Sequence, residues 1–268
     1  MHRQTNQWLI PVILALGAAV ALWYYWLQMS PPPAEPAADV VAPVPEPADE
    51  MPGPLHPVEQ TVTVEAASPN LVPLPSLDNS DEYFKLELSN IFGGTLETLL
   101  AESGMIERLV ATVDNLPRGH VAERIRPLQK LADPFLVDGQ DASGEYTINS
   151  DSYQRYDALA RLIGTTDMNE VVDLYVRYYP LFQRAYVDLG YPQGYFNDRL
   201  VEVIDHLLET PELDGPVTLV RPHVLYEFQD PALEALSSGQ KLMLRMGSGN
   251  AGIVKTSLQE LRTLITAM

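Results

Sequence analysis

Four carboxylates recur at helical spacing in the C-terminal half of the sequence: Asp198, Glu202, Asp205 and Glu209. Intervals of four, three and four residues place them on one face of a helix. Such a row can hold a divalent cation or a basic partner, and paired carboxylates can perform acid and base catalysis in glycan cleavage. A solvated acidic face, partly neutralised by Arg199, is the competing interpretation. The candidates for catalysis are therefore Asp198, Glu202 and Asp205.

The segment 175–199 places aromatic rings among amide and guanidinium groups. Its rings are those of Tyr175, Tyr178, Tyr179, Phe182, Tyr186, Tyr191, Tyr195 and Phe196. Such rings bury area and still offer directed hydrogen bonds, which suits sugar, peptide or protein binding. Helix packing in a core is the competing interpretation. Because turns place side chains at surfaces, rings near Pro180 and the turn at 191–194 should be accessible. The candidate binding residues are Tyr179, Arg184, Tyr191, Tyr195 and Arg199.

Other motifs carry weaker signals. The run Gly247–Gly252 matches the dinucleotide fingerprint, but helix rather than strand precedes it and few residues come after it, so we interpret it as the junction of two helices. None of the five histidines is paired at helical spacing, and no G-x-S-x-G elbow is present. Asp114 and Asn115 are interpreted as helix-end and turn residues. We therefore expect no cofactor and no metal.

Composition narrows the class of protein. The chain has 268 residues, a formal net charge of −19 and no cysteine. An acidic chain repels phosphate backbones, so no nucleic-acid partner is expected. Without cysteine there is no disulfide, no thiolate metal site, no cysteine nucleophile and no lipidated cysteine, and the redox compartment cannot be inferred.

The residues 8–27 form an uncharged apolar stretch of bilayer length. Trp8 lies at one end and the run 23–26, of tryptophan and tyrosine, lies at the other, as in an interfacial aromatic belt. Bulky residues stand where a signal peptidase requires small ones, so an uncleaved transmembrane helix is favoured over a signal peptide. Arg3 precedes the stretch and no Lys or Arg occurs after it before Lys85. The sequence thus predicts that residues 1–7 are cytoplasmic and that the remainder is periplasmic.

The residues 31–77 differ sharply in composition from the C-terminal part of the chain. They contain 13 prolines and seven acidic residues but no Lys or Arg. Such a sequence buries too little apolar surface to offset its ordering entropy, so we expect a disordered, semi-stiff spacer.

The residues 78–268 are long enough for a hydrophobic core, and their pattern is mainly helical. The clearest helices are predicted at 81–91, 152–163, 168–189, 195–208 and 250–266. A small antiparallel hairpin is predicted at 135–148, and the stretch 217–228 is predicted to be extended. The expected fold is a compact, mainly α domain with a small antiparallel β element, preceded by one transmembrane helix and a disordered linker.

Three groups of residues resemble a known family. The first is the run 112–117, TVDNLP. The second combines YPLF at 179–182, LGYP at 189–192 and FNDRL at 196–200, and the third combines DPALE at 230–234 with GQK, LRMG and NA further on. Together they resemble the proteobacterial domain-of-unknown-function family 3014 over roughly residues 85–265. The resemblance implies a bacterial inner-membrane protein with one span, a proline-rich spacer and this domain, and it implies no reaction, cofactor or partner.

The sequence supports one leading functional hypothesis and two alternatives. The leading hypothesis is a membrane-tethered periplasmic interaction or scaffold module with a protein or cell-wall partner, and not an enzyme. The first alternative is a cell-wall glycan hydrolase that uses a carboxylate of the 198–209 helix. The second is a small-ligand sensor acting through the tyrosine-rich segment 175–199. The partner and the oligomeric state are left open.

Overall fold

Helices dominate the structure, as the spacing of apolar residues predicts. The structure is a computed structural model, and it describes residues 53–58, 73–130, 133–139, 144–213 and 215–268. Its helices are, in chain order, α1 (Asp81–Phe92), α2 (Gly94–Glu97), α3 (Met105–Asn115), α4 (Ser150–Gln154), α5 (Asp157–Thr165), α6 (Met168–Asp188), α7 (Phe196–Leu208), α8 (Pro231–Glu234), α9 (Ser238–Arg245) and α10 (Gly247–Thr266). Short 3₁₀ turns lie at Leu77–Asn79 and Glu123–Ile125.

Polar caps define where several of these helices begin. The side chain of Asp167 accepts the N–H of Asn169 at the start of α6, which satisfies one of the free donors of the first turn. Asp230 caps α8 in the same way, with a proline at the first helical position. Ser237 and Gln240 form a reciprocal capping box at the start of α9. These capping residues therefore fix the first turns of α6, α8 and α9.

The core lies among α1, α3, α6, α7 and α10, which pack against one another. The long helix α6 runs unbroken through Pro180 and buries one aromatic face. Tyr178 of α6 meets Phe84 of α1 edge to face, with ring centroids 5.0 Å apart, and Phe182 stacks on Phe196 of α7 at 5.6 Å. The start of α7 is therefore fixed by aromatic packing on α6.

The two predicted β regions join in one antiparallel sheet. Its strands are β1 (Val137–Asp138), β2 (Glu145–Ile148), β3 (Thr218–Val220) and β4 (Glu227–Phe228), in that order across the sheet. Val137 pairs with Ile148, Tyr146 with Leu219, and Leu219 with Phe228. The predicted hairpin and the predicted extended stretch are thus neighbours in the fold, and Leu219 fills the centre of a second, smaller core.

Two parts of the expected spacer differ from the prediction of no fixed structure. Residues 53–58 and 73–77 lie against the helices, and the half-buried Val58, Leu74 and Leu77 pack on the main core. The physical reason is that a few apolar side chains find a surface to bury, while neighbouring prolines reduce the entropy that ordering costs. The rest of the predicted spacer, 31–52 and 59–72, lies outside the described residues.

The predicted transmembrane helix 8–27 also lies outside the described residues. Within the described part of the chain, no helix combines the length and the apolar character needed to cross a bilayer.

Candidate functional site

The first turn of α7 holds a distant part of the same chain. The N–H of Leu55 donates to Oδ2 of Asp198 at 3.0 Å, and the N–H of His56 donates to Oδ1 at 2.8 Å. The two donors belong to consecutive residues at a bend in the chain. Consecutive N–H groups that converge in this way form a small concave site for an anion. Asp198 therefore acts as the bound anion for a backbone that comes from more than 140 positions earlier in the chain.

The neighbouring Asn197 completes this contact and is fully buried. Its Nδ2 donates to the carbonyl of His56 at 3.0 Å and to the carbonyl of Ile265 at 3.2 Å. Its Oδ1 accepts the hydroxyl of Tyr175 at 3.0 Å. The amide thus joins α6, α7, the end of α10 and the segment 53–58, and each of its polar atoms has a partner.

The hydroxyl of Tyr175 is held as a donor by its surroundings. Burial raises the pKa of Tyr175 well above its ordinary value, and the charges of Tyr179 and Asp198 raise it further. The proton therefore stays on the hydroxyl at neutral pH, where it fixes the orientation of the Asn197 amide.

The segment 53–58 alternates between exposed and half-buried residues. Pro54, His56 and Val58 face the helices, whereas the side chain of Leu55 is 81% exposed. The domain thus contacts this segment through the backbone of residues 55 and 56 and through alternate side chains. This pattern is that of a bound peptide lying on a surface rather than of a chain passing through a core.

The other two candidate catalytic carboxylates are engaged in ion pairs. Glu202 pairs with Arg199 at 2.8 Å, one turn back on the same helix. Asp205 accepts two hydrogen bonds from the guanidinium of Arg262 on α10. The face that carries Asp198, Glu202 and Asp205 therefore binds backbone at one end and arginine side chains along its length. Within the described residues, no three or more carboxylates and histidines are grouped so that they could hold a metal ion.

Asp114 lies in the last turn of α3 and is the buried centre of a charged cluster. Its side chain is 4% exposed and lies 2.6 Å from Arg118 and 3.1 Å from Arg199. The hydroxyl of Tyr191 also donates to it, at 3.2 Å. Burial lowers the pKa of Arg199, but the hydrogen bond and the negative charges of Glu202 and Asp114 outweigh this effect and raise it. The cluster ties the end of α3 to the start of α7.

The tyrosine candidates differ in accessibility, and the structure corrects the expectation for Tyr179. This ring is 8% exposed, because it lies on the core face of α6, and its hydroxyl contacts Gln183. Tyr191 is half-buried, with its ring stacked on Tyr186 at 4.6 Å and its hydroxyl in the Asp114 cluster. Tyr195 is half-buried at the cap of α7.

The two candidate arginines also have partners within the domain. Arg184 is exposed and pairs with Asp188, one turn further along α6, at 2.9 Å. Arg199 is mostly buried and belongs to the Asp114 cluster. The structure therefore brings Tyr191 and Arg199 together, but around Asp114, where both serve the packing of α3 on α7.

The glycine-rich run lies at the junction of α9 and α10, as predicted, and borders a cavity of about 570 Å³. Gly247 has a φ of 83°, and a Cβ there would lie 2.8 Å from the ring of Tyr153. The side chains at the cavity are occupied: Asn250 bonds to Tyr153 and Asp157, and Lys255 bonds to the carbonyl of Thr210. Gly247 is therefore required by its positive φ and by the close approach of Tyr153, whereas a Cβ at Gly249 or Gly252 would meet no atom within 4 Å.

Sequence reasoning named Asp198 as a candidate but missed Asn197 and segment 53–58, which complete the backbone-binding site. In the sequence, Asn197 stands out only as part of a family motif, and segment 53–58 has the composition of the predicted spacer. The available signal was the polar pair Asn197–Asp198 at the start of an amphipathic helix, with the asparagine at a position that proves buried. Nothing local in 53–58 distinguishes it from the other proline-rich residues.

Comparison with known proteins identifies a family and nothing narrower. No curated protein and no solved structure matches the chain. The residues 105–262, which include the Asp114 cluster and the Asn197–Asp198 pair, match a family described as a protein of unknown function, DUF3014. Because this match covers more than half of the sequence, the chain belongs to the DUF3014 family.

Proposed function

We propose that this protein is a membrane-tethered interaction module of the bacterial periplasm that binds chain segments through their backbone. The observation that carries the proposal is the contact of Asp198 with the N–H groups of Leu55 and His56. In this contact a surface of the domain holds a peptide segment by groups that every peptide offers.

The same contact favours binding over glycan hydrolysis. A glycosidase needs one carboxyl group free to protonate the leaving oxygen and a second one poised opposite it. Both oxygens of Asp198 accept backbone N–H groups, and Glu202 and Asp205 are paired with arginines. Each of these three carboxylates is therefore engaged in contacts that stabilise the folded chain.

The tethered location rests on the sequence. The apolar stretch 8–27 would anchor the chain, and Arg3 before it would keep the N-terminus in the cytoplasm. A short tether raises the local concentration of the module near partners at the membrane or wall.

The proposal is tested by crosslinking in intact cells. A photoreactive amino acid at position 202 lies one turn after Asp198 on α7, where the side chain of Glu202 is 66% exposed, and one at the exposed Glu170 at the start of α6 serves as the matched control. We expect discrete adducts from position 202 that the control position does not give. Identical adduct patterns from both positions, or none from position 202, would count against an interaction module at this surface.

A further inference from the structure

The contact between α7 and segment 53–58 has the features of a site with an exchangeable occupant. Its polar contacts to the segment are three hydrogen bonds, all to backbone atoms of Leu55 and His56. Backbone atoms carry no sequence identity, so a different segment with the same local shape would make the same bonds.

We propose, on the basis of the function proposed above, that the Asn197–Asp198 pair is a binding site for proline-flanked peptides, and that residues 53–58 are its built-in occupant, which a partner peptide must displace. In this arrangement the protein's own segment competes with the partner. Its attachment to the same chain gives it a high effective concentration, so the site is closed until the partner is abundant or multivalent.

Water would satisfy the polar groups of this pair after the departure of the segment. Asn197 would keep its bonds to the carbonyl of Ile265 and the hydroxyl of Tyr175, and water at the vacated position would replace the carbonyl of His56 as the second acceptor of its Nδ2. Asp198 is only half-buried, so water would replace the two N–H donors.

The geometry specifies what a partner must offer. The partner must form a bend in which two successive residues each donate an N–H group to Asp198. Proline has no N–H group, so it cannot stand at the position of Leu55 or at that of His56. Prolines at the positions of Pro54 and Pro57 flank this bend in the built-in segment. An apolar residue at the position of Val58 reaches the core. The side chain at the Leu55 position points to solvent, so it is free to vary.

The test empties the site without altering the domain. In the full chain in detergent, the double variant Leu55→Pro and His56→Pro removes both N–H donors. The probe is a fluorescent peptide of residues 52–60. The control peptide is the same except that it carries proline at the positions of Leu55 and His56. We expect the probe to bind the double variant at least about tenfold more tightly than the unchanged protein, because the competing segment no longer fits. Adding Asp198→Ala should abolish this binding, and the control peptide should bind neither protein.

A second experiment covers the case in which the double variant is poorly folded. A protease site placed in residues 61–72 allows the otherwise unchanged chain to be cut after folding. We expect the N-terminal piece to dissociate on dilution and the labelled peptide to take its place. Retention of the N-terminal piece together with no uptake of peptide would overturn the proposal and make 53–58 a fixed part of the fold.

The two proposals fail in different ways. If the peptide does not bind the emptied site, the exchange is refuted, while adducts from position 202 in cells would still support an interaction module. If the peptide exchanges but position 202 gives no adducts in cells, the site stands and the interaction function is refuted.

Discussion

Nε of Arg199 lies 3.1 Å from Oδ1 of Asp114, which joins the first turn of α7 to the last turn of α3 across 85 positions of the chain. The same guanidinium donates to the backbone carbonyl of Asp114 at 2.9 Å. Arg199 is also the residue after the Asn197–Asp198 pair. The ion pair therefore fixes the position of the peptide-binding turn relative to the core.

Replacement of Asp114 by Ala should destabilise the domain strongly. It would leave the mostly buried Arg199 without its buried carboxylate and remove the acceptor of the Tyr191 hydroxyl. Arg199 would keep Glu202 and the carbonyl of residue 114 as acceptors, so the loss should lie near the lower end of the about 3–5 kcal/mol that breaking one side of a buried ion pair costs. We expect a loss of this order in the free energy of unfolding, measured by urea denaturation. Asp188→Ala, which breaks the exposed pair with Arg184, should cost less than about 1 kcal/mol.

Truncation of Tyr179 should act on stability. Because this ring is buried, Tyr179→Ala should lower the free energy of unfolding by about 3 kcal/mol or more. Tyr83 is 50% exposed on α1, and Tyr83→Ala should change stability by less than about 0.5 kcal/mol. Equal, small effects at both positions in thermal and chemical denaturation would show that Tyr179 is not part of the core.

Loss of the Asp198 carboxylate should release two specific backbone amides. In Asp198→Ala, the amide hydrogens of Leu55 and His56 should exchange with solvent about tenfold faster, since their acceptor is gone. The control Asp205→Ala breaks only the pair with Arg262 and should leave these two amides unchanged. The measurement is residue-resolved hydrogen exchange by NMR, and equal rates in all three proteins would contradict the contact.

Stability should decline at alkaline pH. Burial, followed by the charges of Tyr179 and Asp198, raises the folded-state pKa of Tyr175. Below about pH 10 both the folded and the unfolded chain keep this proton, so it contributes no pH dependence. Above that pH the unfolded chain releases the proton and the folded chain retains it, so the free energy of unfolding falls. Tyr175→Phe should show a shallower decline than Tyr83→Phe in urea titrations between about pH 9 and 11.

A reporter at the C-terminus should be periplasmic. The basis is Arg3 before the apolar stretch and the absence of Lys and Arg after it until Lys85. Alkaline phosphatase fused after Met268 should be active, and a cytoplasm-specific reporter at the same point should not. The combination Arg3→Glu with Gln28→Lys should reduce phosphatase activity. An active cytoplasmic reporter on the unchanged chain would remove the basis for a periplasmic function.

The sequence determined the elements of this fold because their signals are local. Apolar residues at helical spacing predicted α6, α7 and α10 close to their observed limits. The rings of α6 also recur at helical spacing, which is why most of them share the buried face. Residue spacing alone did not separate a core stripe from a binding surface, since both need aromatic rings.

Only the tertiary structure decided which distant residues meet. The pairing of β2 with β3, the position of Arg199 beside Asp114 and the contact of Asp198 with Leu55 each join residues more than 70 positions apart. A backbone N–H group has the same chemistry in every residue, so nothing in the sequence of 53–58 marks it as a ligand. This segment is bound because the folded helices place the carboxylate of Asp198 and the amide of Asn197 within hydrogen-bonding distance of its backbone.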